Sequence, residues 1–127
     1  MKRKIFVVFL VVLFCLTLPV FAKGAKEEKG PMRFAFSIMQ LDNPYFIAVK
    51  QGFEDRCKEL GVEAIIVDAR YDVAKQVSDV ENLIMQNVDG MMIAPIDQNA
   101  LKPLVETAKA QGIAVVAEAQ PIDNAHG

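Results

Sequence analysis

Residues 40–46, Gln-Leu-Asp-Asn-Pro-Tyr-Phe, place the short polar side chains of Asp42 and Asn43 next to two consecutive aromatic rings, Tyr45 and Phe46. That combination suits a polyhydroxylated ring. Flat apolar rings complement the C–H faces of a pyranose or furanose, and a carboxamide or carboxylate can engage neighbouring hydroxyls in pairs. Each residue also has a plainer role. Asn43 directly precedes Pro44, the arrangement of a helix N-cap followed by a proline in the first turn, so capping accounts for it as well as ligand contact does. Phe46 falls on the apolar stripe of the helix that follows and reads as core. Tyr45 falls off that stripe and is the better ligand candidate.

Two later segments carry similar chemistry. Asp68 closes an apolar run and is followed by Arg70, Tyr71 and Asp72; Asp68 fits a ligand contact and a loop-ordering hydrogen bond equally, while Asp72 reads as a helix cap. Glu118 and Gln120 come directly after the apolar run 113–117. A carboxylate placed there needs a hydrogen-bonding partner, which a polyhydroxyl ligand or a backbone donor can supply.

Catalytic chemistry is poorly provided for. The chain contains no G-x-G-x-x-G, no phosphate-loop pattern and no G-x-S-x-G. Its one histidine, His126, is the penultimate residue, so a Ser-His or Cys-His pair or a histidine-containing metal set would have to be built on a chain end. Ser37 and Ser78 lie inside apolar periodic stretches and read as structural. The expectation is a binding protein without a cofactor or a metal, not an enzyme.

The elements that would position these residues alternate regularly. Residues 33–39, 62–67, 90–94 and 113–117 are short apolar runs of strand length. Between them lie amphipathic stretches with apolar residues three and four apart: Phe46, Val49, Phe53, Cys57 and Leu60; then Val73, Val77, Val80, Ile84 and Val88; then Leu101, Leu104, Val105 and Ala108. Asn43, Asp72 and either Asp97 or Asn99 are placed to start these helices, and Gly61 and Gly112 to end the first and third. Strand-helix-strand-helix-strand-helix-strand predicts an α/β, Rossmann-like parallel sheet with flanking helices. Ligands of such sheets sit beyond the carboxyl ends of the strands. Here those ends are the segments 40–46, 68–72, 95–99 and 118–122, where the candidate residues cluster.

Composition narrows the setting. Hydrophobic residues make up 53% of 127, and part of that excess sits in the first twenty positions. Lys2, Arg3 and Lys4 precede a 14-residue apolar run at 5–18, then Pro19-Val20-Phe21-Ala22, the layout of an export leader. As a helix that run reaches about 21 Å, short of the ~30 Å of a bilayer core, so cleavage after Ala22 is expected; retention would instead leave an anchor, since the apolar stretch lengthens to 18 residues when extended to Ala22. Cys15 belongs to the leader, which leaves Cys57 alone and without an intramolecular disulfide partner. Residues 23–31 are polar and aperiodic and read as a flexible linker. Without the leader the chain has 11 basic against 16 acidic residues, a net of −5, and no basic cluster; nucleic acid is not an expected partner.

The line DNPYF…GFEDRCKELG…IMQNVDGMMIAPID…AKAQGIAVV resembles the first lobe of the periplasmic sugar-binding proteins of the ribose/galactose type, over residues 32–122. The resemblance implies a receptor of an ATP-driven (ABC) importer, in the periplasm or cell envelope, whose two α/β lobes close on a small carbohydrate and present it to a membrane permease. It implies sugar contacts at Asn43, Tyr45 and Phe46, and at Ser37, to which Asp68, Glu118 and Gln120 are added from their position. Family members commonly carry an Asp, often followed by Arg, after the fourth strand; here the stretch is Ala117-Glu118-Ala119-Gln120, which leaves the identity of the sugar open and a similar small polar solute as the alternative ligand. Residues 32–127 correspond to an incomplete first lobe. The ligand-sensing domain of a sugar-responsive transcription regulator shares the fold, but residues 1–22 read as a leader where a DNA-reading segment would stand. A product without independent function is the other alternative.

Export should leave Lys23 as the first residue, so mass spectrometry of the chain recovered from the cell envelope should show the loss of residues 1–22. Recovery of the intact N-terminus would favour retention as an anchor.

Overall fold

The computed structural model describes residues 30–122. The expected leader, most of the linker, and His126 lie outside these residues. Four strands and three helices alternate: β1 (Arg33–Ile38), α1 (Pro44–Leu60), β2 (Glu63–Asp68), α2 (Val73–Met85), β3 (Gly90–Ile93), α3 (Gln98–Ala110) and β4 (Ala114–Ala117). The strands form one parallel sheet in the order β2-β1-β3-β4. The expected α/β architecture is therefore the one observed, with strand ends shifted by a residue.

Local chemistry explains the three helix starts and the end of α1. Asn43 has extended backbone (φ −93°, ψ 123°), and its side-chain oxygen accepts from Tyr45 N at 2.9 Å, with Pro44 filling the first helical position. The helix closes at Gly61, whose φ of 67° is left-handed and costs glycine little, while Val62 N–H returns to the Cys57 carbonyl at 3.0 Å. Asp72 caps α2 by accepting from Lys75 N at 3.0 Å. Of the two candidates for the start of α3, Asp97 is the cap: its Oδ1 accepts from Asn99 N at 2.8 Å and Ala100 N at 3.2 Å.

Two cores lie on opposite faces of the sheet. On one face α1 packs Phe46 with Phe36, Ile38 and Ala94, and the Phe36 and Phe53 rings sit 5.6 Å apart. On the other, α2 and α3 bring Val80, Leu83, Ile84, Leu101, Val105 and Ala108 against Ala35, Met91, Ile93 and Val115. Cys57 is buried as expected, and burial pushes its thiol up. Leu60 departs from the expected stripe: it is 57% exposed, because the chain turns away at Gly61 and the last helical turn has left the core. Gly90 marks a close approach, since a Cβ there would stand 2.7 Å from Phe34 Cε1. Phe34, Met92, Ala114 and Val116 line an open apolar groove on the α1 side of the sheet, towards the β4 edge.

The stripe of α2 holds an unexpected polar residue. Gln76 is 1% exposed and lies in the same helical face as Val80, Leu83 and Ile84. Its amide Nε2 donates to the Ala94 carbonyl at 2.8 Å and to Ser37 Oγ at 3.3 Å, and its Oε1 accepts from Ile96 N at 2.9 Å. One carboxamide thus satisfies backbone beyond the end of β3 and the hydroxyl near the end of β1. Buried groups of this kind cost free energy when they lose their partners.

Gln76→Leu, close in volume but without the amide, should lower unfolding stability by about 2–3 kcal/mol. Urea denaturation monitored by circular dichroism measures it, and a change within about 0.5 kcal/mol would mean that the network contributes little.

Candidate functional site

The sheet register sets the rim. Ser37 of β1 pairs with Val67 of β2 and Ile93 of β3, and Ile93 pairs with Ala117 of β4, so all four strands end at nearly one level. Chain order reverses direction across the sheet between β1 and β3. The helix after β1 packs on one face and the helices after β2 and β3 on the other, which opens a crevice above the carboxyl ends at that reversal. Gln76, bonded to Ser37, Ala94 and Ile96, forms the polar footing beneath it.

Tyr45 and Glu118 meet across this rim. The Tyr45 hydroxyl donates to Glu118 Oε1 at 2.5 Å, joining the first turn of α1 to the residue after β4. Tyr45 is 54% exposed, and its ring is set edge-on to Phe46 with centroids 5.2 Å apart and planes at 77°. The hydrogen bond to Glu118 raises the Tyr45 phenol above its ordinary pKa, with the carboxylate's charge and burial adding in the same direction. The phenol therefore stays neutral and acts as a donor. The second carboxylate oxygen, Oε2 of Glu118, is buried and has no hydrogen-bond partner among the described residues.

The turn after β4 fixes this geometry. Glu118 N donates to the Ile93 carbonyl at 2.8 Å, extending the β3–β4 ladder one residue past the strand. Gln120 N then closes back on the Glu118 carbonyl at 2.7 Å, with Ala119 at φ 62°. A left-handed alanine in so tight a turn is strained, and it persists because the ladder and the Tyr45 contact hold its neighbours. Gln120 Oε1 accepts from Gln98 Nε2 at 3.3 Å, which brings the start of α3 to the same rim.

The remaining candidates separate. Asn43 stands next to Tyr45; its side-chain oxygen is committed to the cap, and its NH2 is the part left for a ligand. Asp68 orders its own loop instead: Oδ1 accepts from Arg70 N at 2.9 Å, in a turn closed by Asp72 N to the Ala69 carbonyl at 3.0 Å. Arg70 and Tyr71 both have left-handed backbone, φ 53° and 59°. With Gln40, Leu41, Asp42 and Asp68 they line a concavity of about 330 Å³ on the β2 side of the rim. Asp68 thus belongs to that concavity and not to the Tyr45–Glu118 pair. Phe46, 5% exposed, is core and buttresses Tyr45. Ser37 corrects the expectation of a ligand contact: it is 0% exposed, and its hydroxyl receives the Gln76 amide under the crevice floor.

Sequence reading missed Gln76 and Gln98. Gln76 sits four residues before Val80 and so falls in the apolar register of α2, the signal that could have marked it. Gln98 carried no comparable signal.

Comparison with known proteins gives a consistent picture. Residues 34–126 match the family model of the periplasmic binding protein domain. The chain is 40% identical over 122 residues to the ribose import binding protein of Bacillus subtilis, covering 91% of this chain and 40% of that one. It is 29% identical over 82 residues to the ribose import binding protein of Haemophilus influenzae, covering 65% of this chain and 28% of the relative. Among solved structures, the Caulobacter myo-inositol binding protein bound to myo-inositol superposes with a TM-score of 0.68 at 29% identity, covering 76% of this chain and 32% of its own. A solute binding protein of an ABC transporter from Mycobacterium smegmatis with bound glycerol superposes at 0.69 and 28% identity, covering 76% and 33%. The chain spans 40% or less of the length of each of these relatives.

Spectrophotometric titration of tyrosine ionisation should detect the rim contact. Tyr45 should ionise at higher pH in the native chain than in Glu118→Gln, which keeps an acceptor but removes the negative charge. Identical titration curves for the two proteins would show that the pair does not form in solution.

Proposed function

The chain belongs to the periplasmic binding protein domain family, and on that premise we propose that it supplies one wall of the receptor for a small carbohydrate taken up by an ABC importer. The observation that carries the proposal is the Tyr45–Glu118 contact, which brings an exposed aromatic ring and a carboxylate together at the crevice above the strand ends. Ring and carboxylate suit the two aspects of a sugar, one its C–H face and the other its hydroxyls.

In this reading the Tyr45 ring covers the apolar face of the ligand, with Phe46 behind it to fix its tilt. The Asn43 NH2 donates to a ring hydroxyl, and Glu118 and Gln120 accept from others. Asp68 and Ser37 act at one remove: Asp68 shapes the β2-side loop, and Ser37 ties Gln76 to the crevice floor. The second face of the ligand needs a facing lobe, whose closure completes the pocket and presents the loaded receptor to a membrane permease. Residues 1–22 act as the leader that exports the chain to the periplasm, residues 23–31 as the linker, and residues 32–127 as the lobe itself. No step of bond making or breaking is assigned to any residue; the role is capture and release.

Because a single wall buries only one face of a sugar, this chain on its own should bind weakly, with a dissociation constant on the order of millimolar and almost no calorimetric heat. Saturation-transfer NMR reads that range. Against ribose, myo-inositol, xylitol, glycerol and glucose, at least one compound should give transfer from the 127-residue chain. The signal should disappear in Tyr45→Ala, whose folding is checked by circular dichroism. Silence across the panel, or signals unaffected by Tyr45→Ala, would defeat the proposal.

A further inference from the structure

We propose that this rim takes a two-unit ligand, a glycoside whose second sugar ring lies in the β2-side concavity while the first lies against Tyr45. The inference rests on the carbohydrate reading above and names the ligand class of the same rim.

The concavity carries the argument. It measures about 330 Å³ and is lined by Gln40, Leu41, Asp42, Asp68, Arg70 and Tyr71. That volume is at the lower end of the range for small-molecule sites. Five of the six lining residues have polar side chains, and these differ in kind: a carboxamide, two carboxylates, a guanidinium and a phenol. The ion pairs of the described residues, Lys50–Glu54, Arg56–Glu59 and Lys75–Asp79, include none of them. Asp68 accepts from Arg70 N through Oδ1, which leaves Oδ2 as an acceptor for a ligand. Tyr71 is 62% exposed, and its ring belongs to neither ring pair of the described residues, Phe36–Phe53 or Tyr45–Phe46.

This mixture selects against simple ions. An anion drawn to Arg70 would meet Asp42 and Asp68, and a cation drawn to the carboxylates would meet Arg70. A neutral polyhydroxyl ring fits better. Its hydroxyls donate to carboxylates and accept from a guanidinium, and its C–H face suits an exposed aromatic ring. The same chemistry stands at Tyr45, beside the Asn43 carboxamide and the Glu118 carboxylate.

One continuous loop joins the two places. Asp42 lines the concavity and Tyr45 stands in the first turn of α1, three residues on and so at most about 11 Å along the chain. Backbone bonds lace that loop to the β2 side: Ala69 N donates to the Ile38 carbonyl and Tyr71 N to the Met39 carbonyl, both at 2.9 Å. The concavity is therefore fixed relative to β1 and α1. Two separate sugars would each carry the full entropic cost of binding, whereas a glycosidic bond makes the second contact intramolecular.

Glucose and galactose, set against maltose, cellobiose, lactose and melibiose, test this with the 127-residue chain. Dissociation constants come from saturation-transfer NMR titrations. At least one disaccharide should bind about tenfold more tightly than the monosaccharides it contains, with transfer to protons of both rings. The double variant Arg70→Asn/Tyr71→Asn removes guanidinium and ring, using a residue that tolerates the left-handed backbone of both positions. It should bring that disaccharide to within about twofold of its monosaccharides and leave monosaccharide affinity unchanged. Asp42→Ala, in the loop after β1, should act in the same direction, and circular dichroism checks that both variants fold. Disaccharides that bind no more tightly than their units overturn the inference and leave the carbohydrate reading intact. So does a preference that survives in both variants, or an equal loss for one-unit and two-unit ligands. Silence towards all six, beside binding of ribose or myo-inositol, likewise overturns the inference alone. Silence towards those sugars as well would remove the reading beneath it.

Discussion

The crevice of this protein depends on the place in the sheet where chain order changes direction, between β1 and β3. With a sheet order of β2-β1-β3-β4, the segment after β1 must leave over one face and the segment after β3 over the other. Backbone that diverges in this way cannot pack against itself, so a gap opens at the strand ends that no side chain of the sheet can fill. Such a gap is useful only if its floor is stiff. Gln76 supplies that stiffness, since its single carboxamide holds the backbone of Ala94 and Ile96 on one side of the reversal and the Ser37 hydroxyl on the other. Three bonds to one planar group fix more geometry than three separate contacts would, because the group cannot satisfy one partner by abandoning another.

Above that floor the rim is assembled from parts with different rigidity. The N-caps at Asn43, Asp72 and Asp97 anchor the start of each helix through short backbone bonds. The turns at 70–71 and 119 are held in left-handed conformations that non-glycine residues adopt at a cost. Strain of this sort is tolerated where surrounding bonds over-determine the backbone, and here each strained turn sits directly beside a side chain of the rim: Asp68 in one case, Glu118 in the other. The direction in which Glu118 points is thus set by the tightness of the turn at Ala119 and by the Ile93 carbonyl that receives its N–H.

Most of the architecture was legible in the sequence. Asn43-Pro44, Asp72 and Gly61 marked helix ends because capping is local chemistry that needs no tertiary information. The apolar stripes identified inner faces because burial follows helical period, and the parallel sheet followed from the alternation of runs. Legibility ended where contacts between distant segments decide the outcome. Leu60 obeyed the periodicity yet lies outside the core, since the position of the turn at Gly61 relative to the sheet is a tertiary matter. Ser37 was placed among the ligand contacts on resemblance, whereas strand alternation turns it to the α2 side, opposite Phe36, and Gln76 claims its hydroxyl. The meeting of Tyr45 with Glu118 could be hoped for from their shared rim, but 73 positions of chain separate them and only the sheet register brings them into contact.

These differences bear on how specificity is distributed. Residues that make the crevice exist, such as Gln76, Ser37 and the capping carboxylates of Asp72 and Asp97, are engaged within the chain. Glu118 is the opposite case. It is held firmly through its backbone and one oxygen, while the second oxygen is buried without a partner among the described residues. A scaffold complete in itself can therefore be kept while the residues beyond β4 change, and each change alters what the rim asks of its ligand without disturbing the floor. Fold and ligand choice become separable because one set of polar groups is closed and the other is open.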